Sequence, residues 1–491
     1  MLTAFIIFWP LIAALVLFAA RPANTRMPAL VAALIELVVS LILAAQFVNN
    51  EAVQFLFNKP WISSIGISFS VGMDGISLLL VLLTTILVPL IILSTFNSTS
   101  TKPHTFYGLI LLMQMALVGV FTAQDGFLFY LFWEIALIPI YFICLIWGGN
   151  GRGRITLKFF IYTLAGSLFM LAGLIYLYFH TEGVHSFDLQ ALYQAGRSLP
   201  ESEQSILFWA FFIAFAIKMP VFPFHTWQPD TYTVAPAQGT MLLSAIMLKM
   251  GIYGLIRWLV PMVPMGVHAW GYSAIVLSVT GIVYASCIAL VQKDIKRLVA
   301  FSSIAHVGLI SAGLLTLNKI GMQGAIIQML SHGLVVFALF YIIEIISERA
   351  KTRVISELGG IRNVAPVLTT IFMIVMLGSI ALPLTSGFVG EFLLINSLFQ
   401  YQMLLGAIGG LTTILGAVYM LRAFQRMMTG DTNKVTALMT DLSSTEKLVL
   451  FPVVAMIIIL GVYPGPILAI SEPAVNNLIQ ILSDFTTYVK P

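Results

Sequence analysis

Six ionisable residues lie inside long apolar stretches of the sequence. Glu134 sits in FYLFWEIALIPIY, Lys218 ends FWAFFIAFAIK, Lys249 lies in LLSAIMLKMGIYG, and Glu391 lies in GFVGEF. Two histidines join them, His306 in SSIAHVG and His332 in QMLSHGLVV. At bilayer depth a charged side chain costs about 2.5–3.5 kcal/mol even on lenient insertion scales, so such residues are functional suspects by default. The residue types suit proton relay. A desolvated lysine holds its proton less tightly and a nearby carboxylate restores the grip; such a pair titrates as a unit. Histidine titrates near physiological pH without help. An order of acid, lysine, lysine, histidine and acid at one depth would form a lateral chain joined by water. His225 and Asp230 follow AIKMPVFPFHTW and are candidates for proton uptake.

Each residue also has a structural reading. Lys218 and Lys249 could snorkel to an interface, although Lys249 has long apolar flanks on both sides. Glu134 could be a satisfied structural carboxylate, and either histidine could simply bond a carbonyl. His225 and Asp230 could cap or line a helix end. Glu36 falls outside the candidate set and reads as a contact with another subunit, and Glu344 as a residue near the membrane interface. No H-x-x-x-H spacing supports a metal site. Cys144 and Cys287 stand alone, without C-x-x-C, so disulfides, iron–sulfur clusters and zinc have no support. GGNGRGR, residues 148–154, lacks G-x-G-x-x-G spacing and reads as a connector. The chain is expected to hold no cofactor, metal or nucleic acid.

The elements that carry these residues are apolar helices. Of 491 residues, 59% are hydrophobic and 9% charged, against about 25% charged in an average soluble domain. A soluble core of this length could not hide so much apolar surface; a bilayer needs helices of about 20 apolar residues. Run lengths predict an all-α polytopic membrane protein of fourteen spans in one domain covering residues 1–491, the first span near 4–20 and the last near 447–468. Residues 470–486 are amphipathic and too polar to span. Two spans are interrupted, the seventh at Pro220 and Pro223 and the twelfth at Pro383 and Gly387, because proline removes a backbone donor and clashes with the preceding turn. Paired broken helices point to inverted repeats around an ion or substrate site. The expected five-helix repeats are 107–257 and 272–426. Glu134 to Lys218 is 84 residues and His306 to Glu391 is 85, which supports the pairing.

With the N-terminus outside and spans alternating, 17 Lys and Arg fall in inside loops and 5 outside, leaving 2 of the 24 in the membrane interior. The positive-inside rule then places both termini in the periplasm. The first apolar stretch has no basic n-region and outlasts the usual signal-peptide h-region of about 7–15 residues, so it reads as a retained helix.

The segments WEIALIPIY, LKFFIYTLAGS, AFAIKMPVFPFHTWQPD, LLKMGIYGLIR, QKDIKRLVAFSSIAHVG, QMLSHGLVVFALF and GFVGEF resemble, in order and spacing, the antiporter-like subunits of respiratory complex I, over roughly 107–426. LLKMGIYGLIR, LKFFIYTLAGS and above all Glu391 resemble the M-type branch rather than its L- and N-type relatives or the Mrp antiporter subunits, which mostly have lysine at the Glu391 position. The resemblance implies a proton-pumping translocase subunit in a bacterial inner membrane, with Glu134, Lys218, Lys249, His306, His332 and Glu391 as its proton pathway. It implies L- and N-type chains and small membrane subunits as partners. NADH, FMN, iron–sulfur clusters and quinone would belong to the whole complex and not to this chain. In one respect the sequence departs from the family: QPDTYTVAP puts Tyr232 and Val234 where a His and a Glu are common, so the family's titratable pair is not carried over to those two positions. The rival functions are a stand-alone or Mrp-type cation/proton antiporter and a structural membrane-arm subunit without a pump.

Overall fold

The computed structural model describes residues 1–22, 24–97 and 101–488, with side chains described as far as residue 483. Twelve helices among the described residues are long and apolar enough to cross a membrane. They are α1 (Leu2–Ala20), α2 (Arg26–Gln46), α3 (Gly75–Leu93), α4 (Pro103–Thr122), α5 (Gly126–Trp147), α6 (Arg152–Phe179), α10 (Ala237–Leu259), α11 (Pro264–Leu290), α12 (Ile295–Leu314), α13 (Lys319–Ala350), α16 (Met403–Met428) and α17 (Ser444–Val462). Between these lie two spans made of pieces. The seventh is α8 (Glu201–Lys218) followed, after a non-helical stretch, by α9 (Gln228–Val234). The twelfth is α14 (Pro366–Ser379) followed by α15 (Ser386–Tyr401). A short surface helix, α7 (Leu189–Ser198), precedes the seventh span, and α18 (Gly465–Tyr488) closes the described chain.

Position in the bundle follows from side-chain character. A helix that is apolar all round must be buried in protein or meet lipid. Here α10 and α13 are buried on every side, whereas α1, α6, α16 and α17 expose Leu15, Ile161, Ile414 and Leu448. Side-chain caps fix the helix starts: Asp74 accepts from Ser77 N, Asp125 from Leu128 N, Asp294 from Lys296 N, and Asn318 from Gly321 N. Such caps satisfy amide groups that a helix start leaves orphaned.

The breaks differ in how they resolve their backbone. After Lys218 the indole of Trp227 donates to Ile217 O at 2.9 Å, supplying a partner for a carbonyl that the prolines release. In the twelfth span the helix ends at Ser379, and Ala381 and Leu384 take left-handed conformations, which non-glycine residues adopt at a cost. Gly387 is not part of the gap. It lies in the first turn of α15, where a Cβ would sit 2.2 Å from Gly378 O, so only glycine lets the two half-helices close up.

One feature has no counterpart in the apolar-run reading. Residues between α2 and α3 form an antiparallel hairpin, β1 (Gln54–Ile62) and β2 (Ile67–Met73), turning at Gly66. Asp125 ties it down by accepting from Ser68 N at 3.1 Å.

Candidate functional site

The centre of the bundle is organised by α10. Its helix widens into a π-turn over Leu243–Met247, where Leu248 N bonds back to Leu243 O at 3.1 Å. Such turns leave carbonyls without their usual helical partner and are frequent at functional sites. Here Ser244 O is taken by the ammonium of Lys249, at 2.8 Å. Lys249 is wholly buried. Its Nζ also lies 2.9 Å from Nδ1 of His332 on α13. Lysine has only donors, so Nδ1 accepts and the His332 proton belongs on Nε2, which stands 3.1 Å from Ser303 Oγ.

Beyond His332 a small cavity opens beside the break in the twelfth span. Ser302, His306, Gln328, Ser331, His332 and Ser379 are among its lining residues, and its volume of about 10 Å³ suits on the order of one water. The ring centroids of His332 and His306 are 6.1 Å apart, with the ring planes tilted by 57°. His306 Nδ1 is 2.8 Å from Glu391 Oε1, an ion-pair distance at which the ring is turned away from hydrogen-bond alignment. The other oxygen of Glu391 accepts from Thr413 Oγ1 at 2.8 Å. Lys249, His332, His306 and Glu391 are therefore one line through the protein interior, drawn from α10, α13, α12 and α15.

Glu134 and Lys218 stand apart from this line. Glu134 is partly buried on α5 and interacts with Ser167 and Lys218. Glu134 and Lys218 do not form a contact ion pair: the buried Lys218 ammonium lies 5.0 Å from the ring centroid of Trp133, the neighbour of Glu134. Among the described residues no direct hydrogen bond joins Lys218 to Lys249. The two helices nevertheless approach closely, because a Cβ on Gly251 would meet Phe215 O at 2.8 Å.

At the far end of the seventh span Asp230 is held by two cations, Lys158 at 3.3 Å and Arg297 at 3.1 Å. His225 does not join it; the imidazole is buried against Phe222 and Tyr284. Tyr232, at the departure from the family pattern, is buried edge-on to Phe340.

Two sequence readings need correction. Glu36, expected to meet another subunit, is fully buried within this chain, and neither carboxylate oxygen has a partner among the described residues. Lys296, one of the 17 cations assigned to inside loops, is buried in the first turn of α12 and donates to Ala235 O at 2.7 Å. The Asp294 cap was the available signal, since it puts Lys296 inside a helix. Ser303 and Thr413, whose hydroxyls contact His332 and Glu391, carried no signal: apolar helices are full of hydroxyl residues that bond only their own backbone, as Ser244 does.

Residues 123–416 match the family model described as "NADH:quinone oxidoreductase/Mrp antiporter, TM". The chain belongs to that family. Within it, NADH-quinone oxidoreductase subunit M of Rickettsia conorii is 42% identical over 88% of this chain and 87% of its own. The protein of the same name from Rhodobacter capsulatus is 38% identical over 98% of this chain and 96% of its own. Among solved structures, a chain of respiratory complex I from Thermus thermophilus with bound NADH superposes with a TM-score of 0.91 at 28% identity, covering 98% of this chain and all of that one.

Proposed function

We propose that this chain is the M-type, proton-translocating membrane subunit of an NADH:quinone oxidoreductase, driven by redox chemistry carried out in other subunits. The observation that carries the reading is the buried line of Lys249, His332, His306 and Glu391, with contacts of 2.9 Å at one end and 2.8 Å at the other. Protons are taken up from the cytoplasm near the break in the seventh span, where Asp230 and His225 lie, and load the site formed by Lys218 and Glu134. Since Lys218 rests on Trp133, a small shift of Glu134 toward or away from it changes how tightly the lysine holds its proton. The proton then moves to Lys249. From there Lys249 Nζ gives a proton to His332 Nδ1, a water in the neighbouring cavity accepts the Nε2 proton and passes it to His306, and Glu391 receives it for release to the periplasm. The two inverted repeats, 107–257 and 272–426, place one broken span in each half of this path. L- and N-type antiporter-like chains and small membrane subunits flank the chain in the bacterial inner membrane. NADH, FMN, iron–sulfur clusters and quinone are held by other parts of the complex.

Lys249→Ala in the purified complex, reconstituted into proteoliposomes, tests this directly. The assembled complex is expected to lose most NADH-driven proton uptake into the vesicles. An assembled variant that pumps at the wild-type rate would remove Lys249 from the path and leave the chain a structural member of the membrane arm.

A further inference from the structure

A second polar column leaves Lys249 in the direction away from Asp230. Tyr253 lies one helical turn beyond Lys249 in the α-helical stretch Lys249–Gly254, which puts the two side chains on one face of α10. The Tyr253 hydroxyl is 3.0 Å from Ser77 Oγ on α3 and donates to Phe121 O on α4 at 3.0 Å. Ser77 N in turn donates to Asp74 Oδ1 at 2.9 Å. A second π-turn, over Leu255–Leu259, brings Arg257 inward to a direct ion pair with Asp74. The guanidinium also lies 5.9 Å from the Tyr253 ring centroid, and Tyr193 of α7 donates to Arg257 O at 2.5 Å. Lys249 is wholly buried, whereas the Arg257 side chain keeps 14% of its surface exposed. The column therefore runs from the middle of the bundle to its surface.

Nothing in the path from Lys249 to Glu391 uses these groups, and they are arranged to stop a proton. Tyr253 spends its only proton on a backbone carbonyl, which hands nothing on. Arginine has no acceptor and stays protonated at any working pH, so it cannot be a member of a relay. It also places a fixed positive charge between Lys249 and the surface. We propose that the Asp74–Arg257 ion pair, held by the Ser77 amide, is a seal that keeps water from the Tyr253 hydroxyl, so that the proton on Lys249 cannot escape directly to the periplasm and is committed to His332. This rests on the reading of Lys249 as a proton carrier. Opening the pair would let water reach the Ser77 and Tyr253 hydroxyls, one turn from Lys249.

The test uses the whole complex in proteoliposomes, with NADH oxidation and proton uptake measured together and passive proton conductance measured without NADH. The variant is Asp74→Asn combined with Arg257→Gln, because removing one partner alone strands a buried charge, whereas a neutral pair does not. Quinone reduction is expected to continue while protons pumped per NADH fall to about half or less and passive conductance rises. Adding Tyr253→Phe, which keeps the ring and removes the hydroxyl, is expected to recover most of the lost coupling. Normal coupling and conductance in the Asp74→Asn/Arg257→Gln complex would overturn the seal. So would a leak that survives Tyr253→Phe, since the proton would then be crossing elsewhere. If the double variant fails to assemble, Arg257→Lys, which keeps a cation beside Asp74 but can give up its proton, is the deciding measurement: a raised conductance supports the seal and an unchanged one overturns it. The Lys249→Ala result stands independently of all these outcomes, so a missing seal and a misassigned carrier are told apart.

Discussion

At the scale of single residues, Glu391 accepts from Thr413 through one carboxylate oxygen and stands at ion-pair distance from His306 with the other. Glu391→Gln keeps the shape and the Thr413 bond but cannot take a proton. It is expected to assemble and to lower NADH-driven pumping on the order of tenfold or more, within the range of a lost acid–base group; pumping at the wild-type level would reduce Glu391 to a structural carboxylate. Glu134→Ala leaves the buried Lys218 with Trp133 as its nearest partner and no counter-charge. Turnover is expected to fall sharply in an assembled complex, with Glu134→Asp retaining much of it. Equal turnover in Glu134→Ala would separate Glu134 from Lys218 functionally. The identities of these groups could be read in the sequence because charge in an apolar stretch is costly and therefore conspicuous. Their partners could not. Lys218 lies over the Trp133 ring with Glu134 beyond direct contact, Lys249 meets a histidine 83 positions away, and Lys296 lies in the interior and not in a loop. Such choices are set by which helices pack together, and a lone sequence does not encode that in any local pattern.

At the scale of elements, both broken spans were visible through their prolines, since proline acts on the backbone locally wherever it stands. The π-turns of α10 were not, because a change from i+4 to i+5 bonding needs no special residue, and yet they aim Lys249 and Arg257 inward. The β1–β2 hairpin leaves no mark in apolar run length, which does not register short strands. The twelfth span depends on a device from outside the membrane. Asp441, in the stretch before α17, accepts from Val367 N and Leu368 N at 2.9 Å each and so caps the start of α14. Burial alone would push its carboxyl up, but these amides, a third from Leu442 and the charge of Lys447 together hold it below its ordinary value. A carboxylate whose folded pKa is depressed stabilises the fold above its unfolded pKa, about 3.9, and that contribution fades as pH falls through the lower folded value. Asp441→Asn is thus expected to cost about 1 kcal/mol at neutral pH and to show a smaller deficit as pH falls below about 4. Thermal unfolding of the isolated complex across that range checks it, and a deficit that grows on acidification would contradict the assignment.

At the scale of the whole molecule, the count of spans and the excess of basic loops were legible because a bilayer imposes length and charge rules on every helix alike. The structure adds a constraint that the count alone lacked. Asp294 and Val354 bridge the α11–α12 and α13–α14 links, Arg353 pairs with Asp294 at 3.3 Å, and Arg297 pairs with Asp230 beside the seventh-span break. These three segments therefore share one face of the protein and must lie in the same compartment. An odd number of crossings away, the β1–β2 hairpin lies on the opposite face. The positive-inside rule assigns the basic face to the cytoplasm. Single cysteines separate the alternatives once the exposed Cys287 has been replaced by serine. Val291→Cys and Ser356→Cys, both exposed, are expected to resist an impermeant thiol reagent in intact cells and to react in inverted vesicles. Asn58→Cys, exposed on β1, is expected to do the reverse. Labelling of Val291→Cys and Ser356→Cys from outside, with Asn58→Cys protected, would invert the molecule. Proton uptake beside Asp230 would then face the periplasm, and the Asp74–Arg257 pair would seal the cytoplasmic side. If Val291→Cys and Ser356→Cys fell on different sides, the shared face itself would be wrong, because no single crossing pattern can separate segments that are bonded to one another.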